Sequence, residues 1–430
     1  MGEFLLLLRS NRNYRYTWLG QVVSEIGDHF NTIAVFSLVL AYTGSGLAVS
    51  GVMIARGLAM LSAGPLAGVA LDRLDRRKLM LASDLVRAVV ALSFLLCLTW
   101  KSTSLVLALS ALLMFASPFF TSGRAAILPT ITSREELHTA NSLTQTTQWT
   151  TLTLGTLLGG TSVVGFGYDW AFSFNAMSFL VSAACVFLLR APQGFRAQRK
   201  DLTEARVVRP WHEYVEGLRY IKASPLLLGL MLVHIGWATG GGAAQILFSL
   251  FGENVFHRGA AGIGYIWSSA GLGLLVGGAV GHRMGKRLGF HAYKWTISFC
   301  YLIHGASYVV FSQMTSFPLA LLFIGLSRAA VGVTSVLNMT QLLRHVSDAF
   351  RGRVFSTMES VVWATMILSM AAAGIASDHH SPRTIGAWSG VLSSSTALFW
   401  AWANMTGRLP EPAEVADELG DVEVHGDPNV

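Results

Sequence analysis

Charged residues are scarce in this chain. Of its 430 residues, 13% are Asp, Glu, Lys or Arg, whereas 52% are hydrophobic. A water-soluble fold of this composition would have too few polar side chains to cover its surface. The composition therefore excludes an ordinary soluble protein and predicts a chain that lies in a lipid bilayer.

Cysteine is also rare, and familiar catalytic motifs are missing. Cys97, Cys185 and Cys300 fall inside apolar runs without paired spacing, which argues against a disulfide framework or a zinc site. The sequence contains no P-loop, HExxH, GxSxG or CxxC, and its Gly-rich runs do not follow a strand as a dinucleotide fingerprint would. We therefore expect no enzymatic activity, no metal and no cofactor.

Long apolar runs are what the chain has in abundance. About 20 apolar residues in a helix cross the hydrocarbon core of a bilayer. The runs are continuously apolar and do not alternate with polar residues, which predicts helices and not a transmembrane barrel. Twelve runs fit, at 15–42, 47–71, 78–100, 104–130, 140–165, 169–190, 224–251, 258–282, 291–312, 317–343, 353–377 and 383–405.

Basic residues are concentrated on one side of the predicted membrane protein. If the N-terminus, the even-to-odd loops and the C-terminus share a side, that side carries 24 Lys and Arg, against three on the other and four within runs. This asymmetry is typical of a cytoplasmic face, so we expect both termini in the cytoplasm. Because the bases are scattered over short loops, the net charge of +7 indicates contact with anionic lipid and not with nucleic acid.

A loop motif occurs twice. The first copy lies in GVALDRLDRRK, which begins at Gly68, and the second lies in GAVGHRMGKR, which aligns on Gly278, 210 residues later. The repeat predicts an all-α protein of two pseudo-symmetric six-helix bundles, at 1–190 and 223–405. A cytoplasmic linker at 191–222 would join them, and an acidic tail at 406–430 is predicted to be disordered.

The linker contains a predicted amphipathic helix. Its composition suits a helix that lies on the cytoplasmic membrane surface. Its apolar face consists of Trp211, Tyr214, Val215, Leu218 and Ile221.

These features resemble the major facilitator superfamily, on the strength of twelve spans, a basic central loop and GVALDRLDRRK between the second and third spans. The segments LGQVVSEIGDHF, YTGSGLAVSG, ASDLVRAV, GRAAILPTITSREELHTANSL and RGRVFS are similar to one branch, the proton-driven drug and siderophore exporters that include macrolide efflux and enterobactin export proteins. The similarity covers roughly residues 10–405. Asp75 departs from the loop pattern, which usually has Gly, and His282 stands in the second copy where the first has Asp72.

The resemblance implies a gate at the cytoplasmic ends of the helices. Asp72 would lie near the N-terminal end of the eleventh span, where the helix dipole favours a carboxylate by about 0.3–1 kcal/mol. Arg76 and Arg77 would pair with acids on neighbouring helices, and Asp84 is the nearest candidate. The alternative is that these charges only fix the topology. The gating motif would comprise Gly68, Asp72, Arg73, Arg76, Arg77, Asp84 and Arg87.

Acidic residues within the predicted spans are candidates for proton coupling, because an ionisable group at that depth is costly and usually faces a polar cavity. Glu25 and Asp28 are three residues apart and share a helical face. We predict that Asp28, nearest mid-span, carries the proton, with Glu25 as its partner or as the carrier itself. Arg124 would neutralise one of these acids or meet an anionic substrate. A carboxylate that only joins helices by hydrogen bonds is the alternative.

Polar and aromatic residues in the spans are candidates for substrate contact, since aromatic faces bind large apolar or cationic ligands without demanding one shape. Each could instead pack between helices. The candidates are Asn31, Gln145, Gln148, Trp149, Asn175, Trp237, Gln245, Trp267, Asn338, Gln341, Glu359 and Trp363.

Together these observations predict a monomeric, proton-coupled exporter of amphiphilic small molecules, such as drugs, macrolides or siderophores. It would work by alternating access in a bacterial cytoplasmic membrane, with the substrate, protons and lipid as its partners. A lipid or lysolipid translocase or a uniporter is one alternative, and its transport would not depend on a proton gradient. A non-transporting membrane sensor is the other, and a nearly closed central cavity with Glu25 and Asp28 paired away from it would favour that reading.

Overall fold

The computed structural model describes residues 2–190 and 210–411. The first part of the predicted linker, the tail beyond residue 411 and the side chain of Trp211 lie outside the described residues. The helices of the described part are α1 Gly2–Ser10, α2 Arg12–Thr43, α3 Gly46–Arg73, α4 Arg76–Ser93, α5 Leu95–Trp100, α6 Thr103–Ile131, α7 Arg134–Phe187, α8 Pro210–Ala223, α9 Pro225–Leu250, α10 Gly259–Gly285, α11 Phe290–Gln313, α12 Phe317–His345, α13 Asp348–Ala376 and α14 Pro382–Met405, with a π-helix at Phe251–Val255 after α9.

Short polar and glycine caps set the helix boundaries. Gly44 ends α2 with a left-handed backbone (φ 62°), which glycine adopts without a steric penalty. The Ser45 side chain then accepts a hydrogen bond from the Ala48 amide at the start of α3. At the start of α7, Ser133 and Glu136 form a reciprocal capping box. The connections between consecutive apolar runs are therefore short and defined by the sequence itself.

Helix α7 crosses the bilayer twice. Its 54 residues would extend about 80 Å as a straight helix, far more than the roughly 30 Å of a hydrocarbon core. Gly167 interrupts it with φ 89° and ψ 173°, a conformation that is essentially restricted to glycine. The predicted fifth and sixth spans are the two limbs on either side of Gly167.

The described helices supply twelve crossings. These are α2, α3, α4 with α5, α6, the two limbs of α7, α9, and α10 to α14. Eight helices of the described part are long and apolar enough to span a membrane by length and composition alone. The predicted all-α, twelve-helix membrane fold is confirmed.

Packing is densest among helices of the same sequence half. In the first half, α2 lies along α7, α3 along α6, and α4 between α6 and α7. In the second, α10 lies along α12, α11 along α14 and α12, and α9 along α13 and α14. The division into two bundles at the predicted boundaries agrees with this pattern and stays a prediction.

The two halves meet along two helix pairs, α7 with α10 and α3 with α13. Gly160 and Gly264 bring α7 and α10 into backbone contact, since a Cβ atom on Gly264 would lie 2.4 Å from the Thr156 carbonyl oxygen. Small residues permit this kind of close approach between membrane helices. In the other pair, Ser50 Oγ donates a hydrogen bond to the Met370 carbonyl oxygen at 2.9 Å.

The described part of the linker packs on protein. Helix α8 contacts α13 and α9, and its Ile221 is buried. Glu216 pairs with Arg353 of α13 at 3.0 Å, and the Tyr220 ring stacks on Phe350 with centroids 4.6 Å apart. Part of the apolar face that was predicted for the membrane surface therefore covers the second half of the protein.

Candidate functional site

A cavity of about 280 Å³ lies between the two halves. It is close to the lower end of ligand pockets, which are roughly 300–1,000 Å³. Helices α2, α3, α6 and α7 line it from the first half, and α9, α10 and α13 from the second. The lining residues are His29, Thr32, Ile33, Phe36, Met53, Arg56, Gly57, Met60, Met114, Leu152, Thr156, Gln245, Trp267, Trp363 and Met370.

Seven of the fifteen residues that line the cavity are methionine, phenylalanine or tryptophan. Unbranched methionine side chains adapt to ligands of different shape, and aromatic rings provide large apolar faces. Trp267 packs edge-on against Phe248, with centroids 5.1 Å apart, which fixes the orientation of its ring. Such a wall suits an amphiphilic ligand better than a small hydrophilic one.

Glu25 is held by three polar partners inside the first half. Its carboxylate accepts hydrogen bonds from Gln21 Nε2 at 2.8 Å and from Thr151 Oγ1 at 2.7 Å. Arg124 Nη1 lies 3.8 Å from the same carboxylate. Arg124 thus neutralises a first-span acid, one of the two roles predicted for it, and neither residue lines the cavity.

Asp28 shares an arginine with Asp84. Arg87 pairs with Asp84 through a short hydrogen bond, and its Nη1 lies 4.0 Å from Asp28 Oδ2. The guanidinium also lies over the rings of Phe120 and Phe179, at 4.6 and 4.3 Å from their centroids. Asp28 Oδ1 is buried without a hydrogen-bond partner among the described residues. Its longer, less complete pairing makes Asp28 the acid whose interactions change most easily.

Two polar residues of the cavity wall, Arg56 and His29, were missed as site candidates. Arg56 Nη2 donates to Thr32 Oγ1 at 3.0 Å, and its guanidinium lies 5.8 Å from the Phe36 ring centroid. His29 packs against Gly155 of α7. The available signal was an arginine in the middle of an apolar run, which needs a partner or a polar cavity.

Comparison with known proteins identifies the family. The model of the Major Facilitator Superfamily matches residues 17–364. The chain belongs to the Major Facilitator Superfamily. The predicted membership is therefore confirmed, and the twelve helices and central cavity are those of a superfamily transporter.

Relatives place the chain near exporters. It is 24% identical over 350 residues to the putative bacilysin exporter BacE of Bacillus subtilis, covering 81% of this chain and 85% of that protein. It is 24% identical over 357 residues to the enterobactin exporter EntS of Escherichia coli, covering 81% and 82%. A bacterial homologue of the iron transporter ferroportin shares the fold, with a TM-score of 0.69 at 14% identity over 91% of this chain and 98% of that one. The predicted drug and siderophore exporter branch is confirmed.

The superfamily loop motif makes other contacts than predicted. Asp72 and Arg73 are exposed, and their side chains form no ion pair or hydrogen bond with any described residue, so the contact predicted with the eleventh span is not made in this conformation. Arg76 donates to the Ala126 carbonyl oxygen at 2.8 Å, and Arg77 to the Val186 carbonyl oxygen at 3.2 Å. In this conformation neither arginine pairs with an acid of the described residues, because Asp84 is occupied by Arg87 and backbone acceptors near the ends of α6 and α7 lie within reach, so the predicted gate stays a prediction.

The two copies of the motif differ in their first residue's surroundings. Gly68 faces open space, whereas a Cβ atom on Gly278 would lie 2.6 Å from the Trp149 ring. Trp149 of α7 therefore packs on α10 across the interface between the halves. Its position indicates a packing role where substrate contact was predicted.

Three of the predicted substrate-contact residues line the cavity, namely Gln245, Trp267 and Trp363. Glu359 is exposed and lies one helical turn from Trp363. The others do not line it. Gln145 and Gln148 are exposed, Trp237 is half-buried, and Asn31, Asn175, Asn338 and Gln341 are buried within the halves.

The buried amides serve packing between helices. Asn175 of α7 faces Gly27 of α2, where an added Cβ atom would lie 2.7 Å from its Oδ1. Asn338 Oδ1 accepts a hydrogen bond from the Tyr293 hydroxyl at 3.0 Å. In this structure both residues therefore contact helices of their own half and not the cavity, and substrate contact stays a prediction for them.

Proposed function

We propose that the protein is a secondary active transporter, without enzymatic activity, that exports amphiphilic small molecules by alternating access. It would lie in the bacterial cytoplasmic membrane with both termini in the cytoplasm and would act as a monomer. The observation that carries the proposal is the methionine- and aromatic-lined cavity between the two halves. The names of the relatives BacE and EntS, both exporters, support the direction of transport.

The contacts between α3 and α13 support an inward-facing conformation. Gly46 and Ser50 of α3 lie against Ser377 and Gly374 of α13, at the end of the molecule that the positive-inside rule places outside. At the opposite end of α3, Asp72 is exposed. Along α3 the halves therefore meet at the outer end and not at the cytoplasmic end, while α7 and α10 stay in contact as far as Trp149 and Gly278.

We propose that proton coupling uses the acids of α2. Asp28 and Asp84 share Arg87 in one charge network of the first half, and Glu25 forms a separate pair with Arg124. Protonation of Asp28 removes its attraction for Arg87, which leaves the arginine to Asp84 alone. Asp28 does not line the cavity, but the next residue of α2, His29, does, so this rearrangement can change the position of a cavity-wall residue.

The test is transport in proteoliposomes with an imposed pH gradient and a probe panel of erythromycin, rhodamine 6G and 1-naphthaleneacetate. Wild type should move at least one probe with a rate that rises with the gradient. In Asp28→Asn the increase in rate with the gradient should be at least tenfold smaller. In Glu135→Gln, which changes an exposed acid at the start of α7, the increase should be the same as in wild type. An undiminished gradient dependence in Asp28→Asn would remove Asp28 from the role.

One observation favours a second candidate, a non-transporting membrane sensor. Glu25 and Asp28 pair with arginines of the first half and do not themselves line the cavity. In that case no probe should move under any gradient, while ligands should still bind. Movement that is independent of the gradient would instead indicate a uniporter or lipid translocase.

A further inference from the structure

The cavity wall contains hydrogen-bond donors that have no acceptor among the described residues. Two N–H groups of its wall are buried without an acceptor in the described part of the chain, Arg56 Nη1 and Trp267 Nε1. Among the described residues, none of those that line the cavity carries a carboxylate. A buried donor without an acceptor is costly, so an occupant that supplies acceptor atoms gains affinity from both groups.

Of the two residues, Arg56 has the larger number of N–H donors to satisfy. A guanidinium has five N–H donors in a planar fork that matches a carboxylate. Only the bond to Thr32 is made at the cavity wall, and Arg56 forms no ion pair with any described residue. Asp28 of α2 pairs with Arg87, at 4.0 Å.

Arg56 and Trp267 lie on opposite sides of the interface between the two halves. Arg56 belongs to α3 of the first half and Trp267 to α10 of the second. The rest of the wall is mainly apolar, with Thr32, Thr156, Gln245 and His29 as its other polar side chains. The complementary ligand has an apolar body, an acidic group for the guanidinium and an acceptor that reaches the indole N–H.

We propose that the cavity selects amphiphiles that carry a carboxylate, and that Arg56 is the residue that binds the acid. This inference rests on the proposed function, since it names the substrate class of the same cavity. Charge-assisted hydrogen bonds to arginine are stronger than neutral ones, and bidentate geometry adds specificity for a planar acid. Trp267 would hold the ligand against the second half, so that one molecule contacts both halves of the transporter.

The experiment is equilibrium binding to the full-length protein in nanodiscs without any gradient. It compares two matched pairs of radiolabelled probes, 1-naphthaleneacetate with 1-naphthaleneacetamide, and dodecanoate with dodecanamide. Within a pair the apolar body is the same, and an uncharged carboxamide of similar shape replaces the carboxylate. Wild type should bind the acid of at least one pair about tenfold or more tightly than its amide. Equal affinities in both pairs, or no binding of either acid, would overturn the proposal.

Variants assign the preference to one side chain. Arg56→Gln should remove the acid preference and leave the affinity for the amide within about twofold, and Arg56→Lys should restore part of the preference because it keeps the charge. Arg219→Gln, at an exposed arginine of α8, is the matched control and should bind as wild type does. A preference that survives in Arg56→Gln would also overturn the assignment.

The outcome is separable from the proposed function. An acid preference without gradient-driven flux would contradict the exporter and leave the role of Arg56 intact. Gradient-driven flux of a neutral probe, in a protein that binds acids and amides equally, would contradict the role of Arg56 and leave the exporter intact.

Discussion

At the scale of single residues, Arg87 is the centre of the charge network. Two aspartates approach it and two aromatic rings enclose it, while only 3% of its side chain is exposed. A buried ion pair contributes little compared with an apolar replacement of both partners, but removing one partner leaves an uncompensated charge. The residue-scale prediction follows from that asymmetry.

Arg87→Leu should lower the free energy of unfolding by about 3–5 kcal/mol, because Asp84 is left buried and unpaired. Adding Asp84→Asn should recover more than half of the loss. The measurement is reversible unfolding in mixed micelles, with Arg219→Leu as an exposed control. If the double variant is as unstable as the single one, the loss comes from packing around Phe120 and Phe179 and not from charge.

At the scale of elements, the backbone of Gly167 decides the path of the chain. Two apolar runs are joined there without a polar loop, and the turn depends on one residue with φ 89° and ψ 173°. The sequence predicts both runs, at 140–165 and 169–190, because each is long and apolar. The only sequence signal for the turn is Gly167, and glycine is common throughout this chain.

Gly167→Ala should destabilise the protein by about 1–3 kcal/mol, since a side chain is strained in that backbone conformation. Gly165→Ala is the matched control, because a Cβ atom there meets nothing within 4 Å and alanine favours a helix. The comparison requires only thermal unfolding of the two purified variants. Equal stability of both would show that the turn tolerates a side chain.

At the scale of the whole molecule, the arrangement of the halves is fixed at one end of α3 and α13. Gly46 and Ser377 approach closely, so that a Cβ atom on Gly46 would lie 2.9 Å from Ser377 Cβ. Alternating access requires this contact to open during each cycle. A transporter and a sensor with a static interface therefore differ in what a cross-link here would do.

Gly46→Cys combined with Ser377→Cys, in a background without Cys97, Cys185 and Cys300, should form a disulfide after a small backbone adjustment. The oxidised protein should lose nearly all gradient-driven flux, and reduction should restore it. Either single variant, treated in the same way, is the control. Full flux in the cross-linked protein would contradict rocking of the halves about the cavity.

The sequence by itself determined the class of protein, the twelve spans and the family. Each of these depends on local composition, since a bilayer demands continuous apolar runs and the loop motif is contiguous. It also predicted Glu25, Asp28, Asp84 and Arg87 as candidate functional residues, because ionisable side chains are rare within such apolar runs.

Only the tertiary structure decided which polar residues meet. Asn175 and Asn338 contact helices of their own half. Arg76 and Arg77 donate hydrogen bonds to backbone carbonyl oxygens. Arg56 lines the cavity. The physical reason is that a helix in a twelve-helix protein has one face toward lipid, one toward its own bundle and one toward the interface between the two halves. Helical periodicity says which residues share a face, whereas only the packing of the helices says what that face contacts.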